Sequence, residues 1–284
     1  MLANVVNVWD ALVLGIVEGI TEFLPISSTG HLVLASEILG LRNEQTHTAE
    51  QIAAVQAFEI VIQSGAILAV LIIYRKEIFE VIQGVLGKSE RGLRLFINMA
   101  IAAFPALAVG YLTKNFISAH LQFLGPVLAA MAVGGLAMLV FEYWYGRKPQ
   151  VSEGKGLDEL SPRQALLVGC IQCFALWPGM SRSMVTIVGG MSVGLRRTAA
   201  AEFSFLVGLP TLLIATGYKG LKDGKLLFEY IGGASMAVGL ISATVFAALA
   251  VTWLVNFLNR RGLAVFGWYR LVAAALMFFF LYKS

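Results

Sequence analysis

Charged residues are scarce in this chain: of its 284 residues only 13% are charged, whereas 58% are hydrophobic. Soluble domains carry about 25% charged residues, so a soluble protein is excluded. The mean hydropathy of +0.79 instead indicates an integral membrane protein. Cysteine is also scarce, and two cysteines cannot form the disulfide framework of a small secreted protein. The same hydrophobicity excludes an intrinsically disordered chain.

The basic residues do not indicate nucleic acid as a partner. The formal net charge is +4, but the Lys and Arg residues lie in short connections between apolar runs, where the positive-inside rule explains them. Connections 75–94, 146–163, 196–197 and 260–261 hold most of these residues and are predicted to be cytoplasmic. Both termini are therefore expected outside, whether or not the shorter apolar runs cross the membrane.

Six apolar segments are long enough to cross a bilayer, which takes about 20 helical residues. They are 53–74, 95–112, 124–145, 199–218, 229–257 and 264–282. Two pairs of shorter runs, 9–24 with 32–40 and 164–177 with 184–195, are each joined by a polar tip that begins at a proline. Such pairs predict re-entrant helical hairpins. The predicted fold is one all-α integral membrane domain over residues 1–284, with six transmembrane helices and two re-entrant hairpins.

The two short pairs resemble each other in sequence. An alignment without gaps that starts at Ala11 and Ala165 places Gly15 on Gly169, Glu18 on Gln172 and Ser27 on Ser181. Because one pair enters from outside and the other from the cytoplasm, the repeat is predicted to be inverted, over about 9–112 and 164–257. Inverted repeats with broken helices form sites near the midplane, so the two tips are expected to meet. Chance similarity between apolar helices is the alternative.

Some charged residues in or beside the apolar segments are costly if they lie deep in the membrane: Glu18, Glu22, Glu59, Glu202 and Arg182. Each costs roughly 2.5 to 3.5 kcal/mol at the centre of a bilayer, so each needs a partner or water. Glu18 and Glu22 are four residues apart, on one helix face. Two such carboxylates share a proton or bind a cation, which predicts an acid/base or divalent-metal role. A solvated helix end is the alternative.

The first tip combines hydroxyls with an imidazole: Ser27, Ser28, Thr29 and His31. Ser27 and Thr29 are predicted to bind the substrate phosphate. His31 is predicted to act as a general base for a hydroxyl nucleophile or as a hydrogen-bond donor that binds phosphate. The hydroxyl residues alone are also typical of a helix N-cap.

The second tip places Ser181, Arg182, Ser183 and Thr186 at the start of a short helix. A helix N-terminus and an arginine both suit a phosphate, while the alternative is that Arg182 pairs with Glu18 or Glu202. Three polar residues of the spans are expected to support the tips by hydrogen bonds: Glu59, Gln63 and Glu202. The role of Arg270 stays open, and Tyr269 is assigned to an interfacial aromatic belt.

The motif Glu18-Gly-Ile-Thr-Glu22-Phe-Leu-Pro-Ile-Ser-Ser-Thr-Gly-His31, together with Leu176-Trp-Pro-Gly-Met-Ser-Arg-Ser183 and Thr186, resembles the bacterial undecaprenyl-diphosphate phosphatases, also called bacitracin-resistance proteins. The resemblance implies hydrolysis of this long-chain polyprenyl diphosphate at the outer face of the bacterial cytoplasmic membrane, with a divalent cation, Mg²⁺ or Ca²⁺. It also implies recycling of the lipid carrier for cell-wall polymers and often a homodimer. The resemblance assigns catalytic roles to Glu18, Glu22, Ser28, His31 and Arg182.

Two interpretations follow. In the first, the chain is a membrane phosphohydrolase in which Arg182 and the tips hold the terminal phosphate, and either Ser28 attacks phosphorus with His31 as base or an activated water attacks. In the second, it is a transporter or lipid flippase, since inverted repeats with broken helices are typical of transporters.

Overall fold

The computed structural model describes residues 4–145 and 154–281. The first half contains α1 Val8–Phe23, α2 Ser28–Ile38, α3 Ala49–Val61, α4 Gln63–Ile73, α5 Arg75–Val85, α6 Glu90–His120 and α7 Leu124–Trp144. The second half contains α8 Pro162–Gln172, α9 Arg182–Ser192, α10 Arg197–Tyr230, α11 Gly233–Leu258 and α12 Ala264–Leu281. The described residues form no strand beyond an isolated bridge of Lys155 with Leu195. The predicted all-α class is confirmed.

Five helical segments of the described chain are long and apolar enough to cross a membrane: Ala49–Ile73, which joins α3 and α4, and α6, α7, α10 and α11. The sixth predicted span corresponds to α12, which has 18 residues and groups with the shorter apolar helices. Residue 282 of that predicted span lies outside the described residues, as do residues 146–153 of the predicted cytoplasmic connection 146–163.

The predicted connection 75–94 is helical: it contains α5 and the start of α6. Arg75 and Lys76 of this connection lie on the amphipathic α5, which packs on α6, whereas Arg91 and Arg94 lie on α6 itself. Helix α5 forms because its apolar residues recur at helical spacing and line one face. This face packs on α6, where Gly84 lies against the backbone at Gly92 and Leu93.

The two predicted short pairs are present. Helix α1 has 16 residues and α2 has 11, so they extend about 24 Å and 17 Å, less than a bilayer core of roughly 30 Å. Helices α8 and α9 have 11 residues each, and a four-residue 3₁₀ turn, Cys173–Leu176, extends α8. In both pairs an irregular tip joins the helices.

The first helix of each short pair packs on a long helix of the other half, α1 on α11 and α8 on α6. Glycines allow the close approach: a Cβ at Gly15 would lie 2.5 Å from Gly239 O, and a Cβ at Gly169 would lie 2.6 Å from Ala102 O. The aligned glycines therefore make corresponding contacts. The largest core cluster also draws on both halves, with Phe23 and Phe205 in edge-to-face contact at 5.3 Å between ring centroids.

The two short pairs also share rare backbone conformations at aligned positions. Ser27 and Ser181 have φ of 77° and 72°, and they are the two non-glycine residues with positive φ in the described chain. The same alignment continues, without a gap, to Gly40 and Gly194, whose φ values are 72° and 98°. The sequence repeat thus coincides with a repeat of rare backbone conformations.

Candidate active site

The two tips contact each other directly. Ser183 Oγ of the second tip donates to Leu24 O at the end of α1, at 2.8 Å. Arg182 Nη2 donates to Glu22 Oε1, at 3.1 Å. The residues singled out in two motifs some 160 positions apart therefore form one cluster.

A serine in a rare backbone conformation immediately precedes the second helix of each pair. Ser27 Oγ accepts from Gly30 N at 3.4 Å, and Ser181 Oγ accepts from Met184 N at 3.3 Å. Both are N-caps, as the sequence suggested for the first tip. A sparsely populated φ and ψ pair costs about 1 to 3 kcal/mol and persists only where the surroundings enforce it, most often at functional sites. The tips are therefore held by their neighbours.

Glu22 lies between the candidate nucleophile and the candidate phosphate-binding arginine. Its Oε2 accepts from Ser28 Oγ at 2.6 Å, and its Oε1 forms the ion pair with Arg182, in which the side chains are 6% and 13% exposed. Among the described residues, Arg182 forms its ion pair with Glu22 and not with Glu18 or Glu202. Carboxylate and guanidinium are both deep in the protein, where such a pair is strongly oriented.

Helix α10 holds the other side of Arg182. Nη1 donates to Ser204 O at 2.8 Å, and the guanidinium lies over the Phe23 ring, 5.6 Å from its centroid. Gly208 makes room, because a Cβ there would overlap Arg182 Nη1. Arg182 Nε is buried and has no hydrogen-bond partner within the described chain, so the fork keeps a donor for a ligand.

Glu18 lies one turn before Glu22 and is fully buried. Neither of its carboxylate oxygens has a hydrogen-bond partner among the described residues, and the charged groups that act on it are Glu22, Glu59 and Arg182. Buried carboxylate oxygens without partners require a proton or a cation. No group of three or more His, Cys, Asp or Glu residues suited to a metal occurs in the described ranges. Mg²⁺, however, is often held by one or two carboxylates plus substrate phosphates, and Glu18 and Glu22 fit that donor set.

His31 does not contact Ser28 as expected. Nδ1 lies 2.7 Å from Ser27 O, and Nε2 lies 2.7 Å from the Tyr269 hydroxyl. Ser28 donates to Glu22 instead, so the structure shows no hydrogen bond between Ser28 and His31, its predicted base. Tyr269 had been assigned to an interfacial belt. Its role was hidden because it lies 238 positions from His31, beyond any local pattern.

Arg270 binds both tips to α7. It is fully buried and donates to four backbone carbonyls: Pro25 O at 3.4 Å, Gly179 O at 2.8 Å, Ala130 O at 3.1 Å and Met131 O at 3.1 Å. A Cβ at Gly134 would overlap its guanidinium. An arginine inside an apolar run was the available signal, since such a residue requires internal partners, but its partners lie far away in the sequence.

The predicted phosphate-binding hydroxyls divide into two groups. Ser183 and Thr186 are fully buried, and Thr186 Oγ1 bonds to Arg182 O at 2.8 Å and to Ser204 Oγ at 2.5 Å. These hydroxyls are therefore used within the protein, as is that of buried Ser27, which caps α2. Ser181 is used as well: it accepts from Met184 N and donates to Ser183 Oγ at 3.0 Å, because Ser183 gives its own hydrogen to Leu24 O. Thr29 is exposed and remains accessible to a ligand.

The supporting residues were placed less well by the sequence. Glu59 accepts from Ser36 Oγ at 2.5 Å and pairs with Arg42, neither of which belongs to a tip. Gln63 and Glu202 make no hydrogen bond to either tip among the described residues. Glu202 instead lines a separate cavity of about 330 Å³ with Glu77 and Arg196. The residue of α10 that supports the second tip is Ser204, which sequence reasoning missed.

Comparisons with known proteins agree on one family. Residues 11–276 match the model of the family described as Bacitracin resistance protein BacA. The undecaprenyl-diphosphatase of Sorangium cellulosum is 43% identical over 270 residues, covering 95% of this chain and 85% of that protein. That of Azotobacter vinelandii is 41% identical over 263 residues, covering 92% and 90%. That of Clostridium tetani is 35% identical over 269 residues, covering 94% of both chains.

Proposed function

This chain belongs to the bacitracin resistance protein BacA family, and we propose that it hydrolyses undecaprenyl diphosphate to undecaprenyl phosphate and inorganic phosphate. The observation that carries this function is the contact of Glu22 with both Ser28 and Arg182. One carboxylate thereby orients a hydroxyl and a phosphate-binding cation together. The enzyme returns the lipid carrier to cell-wall synthesis. The relatives do not support the transport alternative, because they are named as phosphatases.

The terminal phosphate is bound at the second tip. Arg182 supplies its unpartnered Nε, and the exposed hydroxyl of Thr29 supplies a further donor. The N-termini of α2 and α9 add backbone N–H groups and the positive end of a helix dipole. Ser183 and Thr186 act indirectly, since they fix the backbone that carries Arg182. The apolar chain of the lipid remains among the apolar helices.

Ser28 is the nucleophile of the proposed reaction. Its Oγ attacks the terminal phosphorus as its proton passes to Glu22 Oε2, 2.6 Å away. The bond from phosphorus to the bridging oxygen breaks, undecaprenyl phosphate leaves, and a phosphoserine forms. Water then releases inorganic phosphate, and Ser28 recovers the proton from Glu22. The fixed charge of Arg182 stabilises the charge that develops on the phosphoryl oxygens.

A divalent cation, Mg²⁺ or Ca²⁺, is part of the proposal. Glu18 would hold it with its two free oxygens, and Glu22 would contribute by sharing an oxygen. Bound there, the cation would neutralise diphosphate charge and make the bridging oxygen a better leaving group. Glu18 is the stronger ligand of the two, because both oxygens of Glu22 already bond to protein groups.

The finer architecture also belongs to the proposal. We infer six membrane crossings, with α12 as the sixth, because its 18 residues lie within the range of about 17 to 25 that spans a bilayer. We infer that the short pairs are re-entrant and belong to inverted repeats over about 9–112 and 164–257. The shared conformation of Ser27 and Ser181 and the corresponding contacts of Gly15 and Gly169 support this interpretation.

The orientation rests on the loop charges. Both termini and the site are assigned to the outer side of the bacterial cytoplasmic membrane, because the connections rich in Lys and Arg belong on the cytoplasmic side. Accessibility of single cysteines introduced in α5 and at Lys114 to an impermeant reagent tests this assignment. A homodimer, as the resemblance implies, is also proposed. Light scattering in detergent measures its mass.

The function is tested by phosphate release from a long-chain polyprenyl diphosphate by detergent-purified protein, with and without a chelator. Wild-type protein is expected to release phosphate, and both the chelator and Arg182→Ala should abolish release. Arg91→Ala is the matched control, since Arg91 is half-exposed and pairs with exposed Asp158. Full activity of Arg182→Ala, or no release by folded wild-type protein in several lipids, contradicts the proposal.

A further inference from the structure

The contacts of His31 leave one basic ring nitrogen. Nδ1 lies 2.7 Å from Ser27 O, and because a carbonyl oxygen only accepts, Nδ1 carries the hydrogen in the neutral ring. Nε2 therefore holds the lone pair, and the Tyr269 hydroxyl donates to it at 2.7 Å. The two contacts together fix the Nδ1–H tautomer.

The ring plane is fixed as well. The rings of His31 and Tyr269 stack at 5.6 Å between centroids and 8° between planes. Tyr269 precedes Arg270, which is anchored by four carbonyls, so this part of α12 is itself held in place. Tyr269 remains 45% exposed and caps the imidazole from the side opposite Ser27.

The atom that His31 holds is the carbonyl of Ser27, one of the two serines with positive φ. Ser27 immediately precedes Ser28, so the carbonyl that accepts from Nδ1 belongs to the peptide group that leads into the proposed nucleophile. A strained residue keeps its conformation only where contacts enforce it. A continuous set of contacts thus runs from Tyr269 through His31 and the Ser27 carbonyl to Ser28.

We propose that Tyr269 is a positioning residue of the phosphatase, which places Ser28 by holding His31 in the tautomer that binds the Ser27 carbonyl. This inference rests on the proposed function. The Tyr269 hydroxyl donates to Nε2 of the neutral ring and, after rotation about its C–O bond, accepts from Nε2–H of the charged ring. The imidazole therefore keeps its place in either protonation state.

Tyr269→Phe tests the proposal, because it keeps the stacked ring and removes only the hydroxyl. The kcat for lipid diphosphate should fall about tenfold, as expected for one lost hydrogen bond, with little change in KM. Nitrogen-15 NMR of histidine-labelled protein supplies a second measurement. The chain has three histidines, and His31→Asn assigns the signal. Wild-type protein should contain the Nδ1–H tautomer, and Tyr269→Phe should shift the Nε2 resonance.

Tyr218→Phe is the matched control, since Tyr218 is exposed on α10 and should change neither quantity. An Nε2–H tautomer in wild-type protein, an unchanged Nε2 resonance in Tyr269→Phe, or wild-type kcat in that variant would each overturn the proposal. If wild-type protein releases no phosphate, the proposed function fails, while the resonances still decide whether Tyr269 holds His31.

Discussion

The Ser28 hydroxyl donates to Glu22 at 2.6 Å, six residues earlier in the chain, and not to His31, its expected base. The irregular tip returns the chain so that the start of α2 faces the end of α1. Because Glu22 is also paired with Arg182, movement of either partner alters the position of the other. The tip thus links the proposed nucleophile to the arginine that is proposed to bind the phosphate.

This contact predicts a covalent intermediate on Ser28. With a polyprenyl diphosphate that carries radioactive terminal phosphate, rapid acid quenching should recover labelled wild-type protein. Ser28→Ala should carry no label and should lose at least a hundredfold in activity, since the nucleophile is missing. Ser192→Ala, at an exposed serine of α9, should behave as wild type. Label-free but active Ser28→Ala would assign the attack to water.

The local motifs predicted the tip residues because they are contiguous. Ser27 as a cap and the meeting of the two tips could be inferred from a polar segment between short apolar runs. The residues that contact the tips could not be inferred, because Tyr269, Arg270 and Ser204 reach the tips only through tertiary packing. Sequence gives no distance between α12 and α2, so an aromatic near a helix start was assigned to the membrane interface.

A second recurrence in the sequence lies at the ends of the short pairs. Gly40-Leu41-Arg42 recurs as Gly194-Leu195-Arg196, in the same alignment that pairs Ser27 with Ser181. In the structure Arg42 pairs with Glu59, and Arg196 lines a cavity with Glu202. The two glutamates therefore face arginines at the ends of the short pairs. When the alignment is extended to these arginines, it predicts that Glu59 and Glu202 lie beside them and do not support the tips.

The unpartnered oxygens of Glu18 predict a cation requirement that depends on this residue. Glu18→Gln replaces one carboxylate oxygen by an NH2 group, which donates hydrogen bonds and cannot coordinate Mg²⁺, and it removes the negative charge. The concentration of Mg²⁺ needed for half-maximal phosphate release should rise at least tenfold, and maximal activity should fall. Glu37→Gln, at an exposed position of α2, is the control. An unchanged Mg²⁺ dependence in Glu18→Gln would remove Glu18 from the cation site.

Arg270 is expected to contribute mainly to stability. Arg270→Met leaves carbonyls of both tips and α7 without their donor, and each unsatisfied buried group costs about 1 to 3 kcal/mol. The variant should therefore unfold in detergent at a clearly lower temperature than wild-type protein. Its activity should also be lost at temperatures at which the variant is still folded. Arg91→Met removes only an exposed ion pair, worth about 0 to 1 kcal/mol, and should unfold close to wild type. Equal unfolding temperatures for the two variants would contradict the proposed link between the tips.

Two glycines of α10 provide a sharp test of the Arg182 position. A Cβ at Gly208 would overlap Arg182 Nη1, whereas a Cβ at Gly217 would meet no atom within 4 Å. Both substitutions to alanine add the same methyl group to the same helix, where alanine is favoured over glycine by up to about 1 kcal/mol. Gly208→Ala should displace the guanidinium from Glu22 and Ser204 and lower phosphate release at least tenfold, while Gly217→Ala keeps wild-type activity. Because helix propensity changes alike in both, a difference in activity reports the displaced arginine, and equal activity would show that Arg182 does not need its observed position.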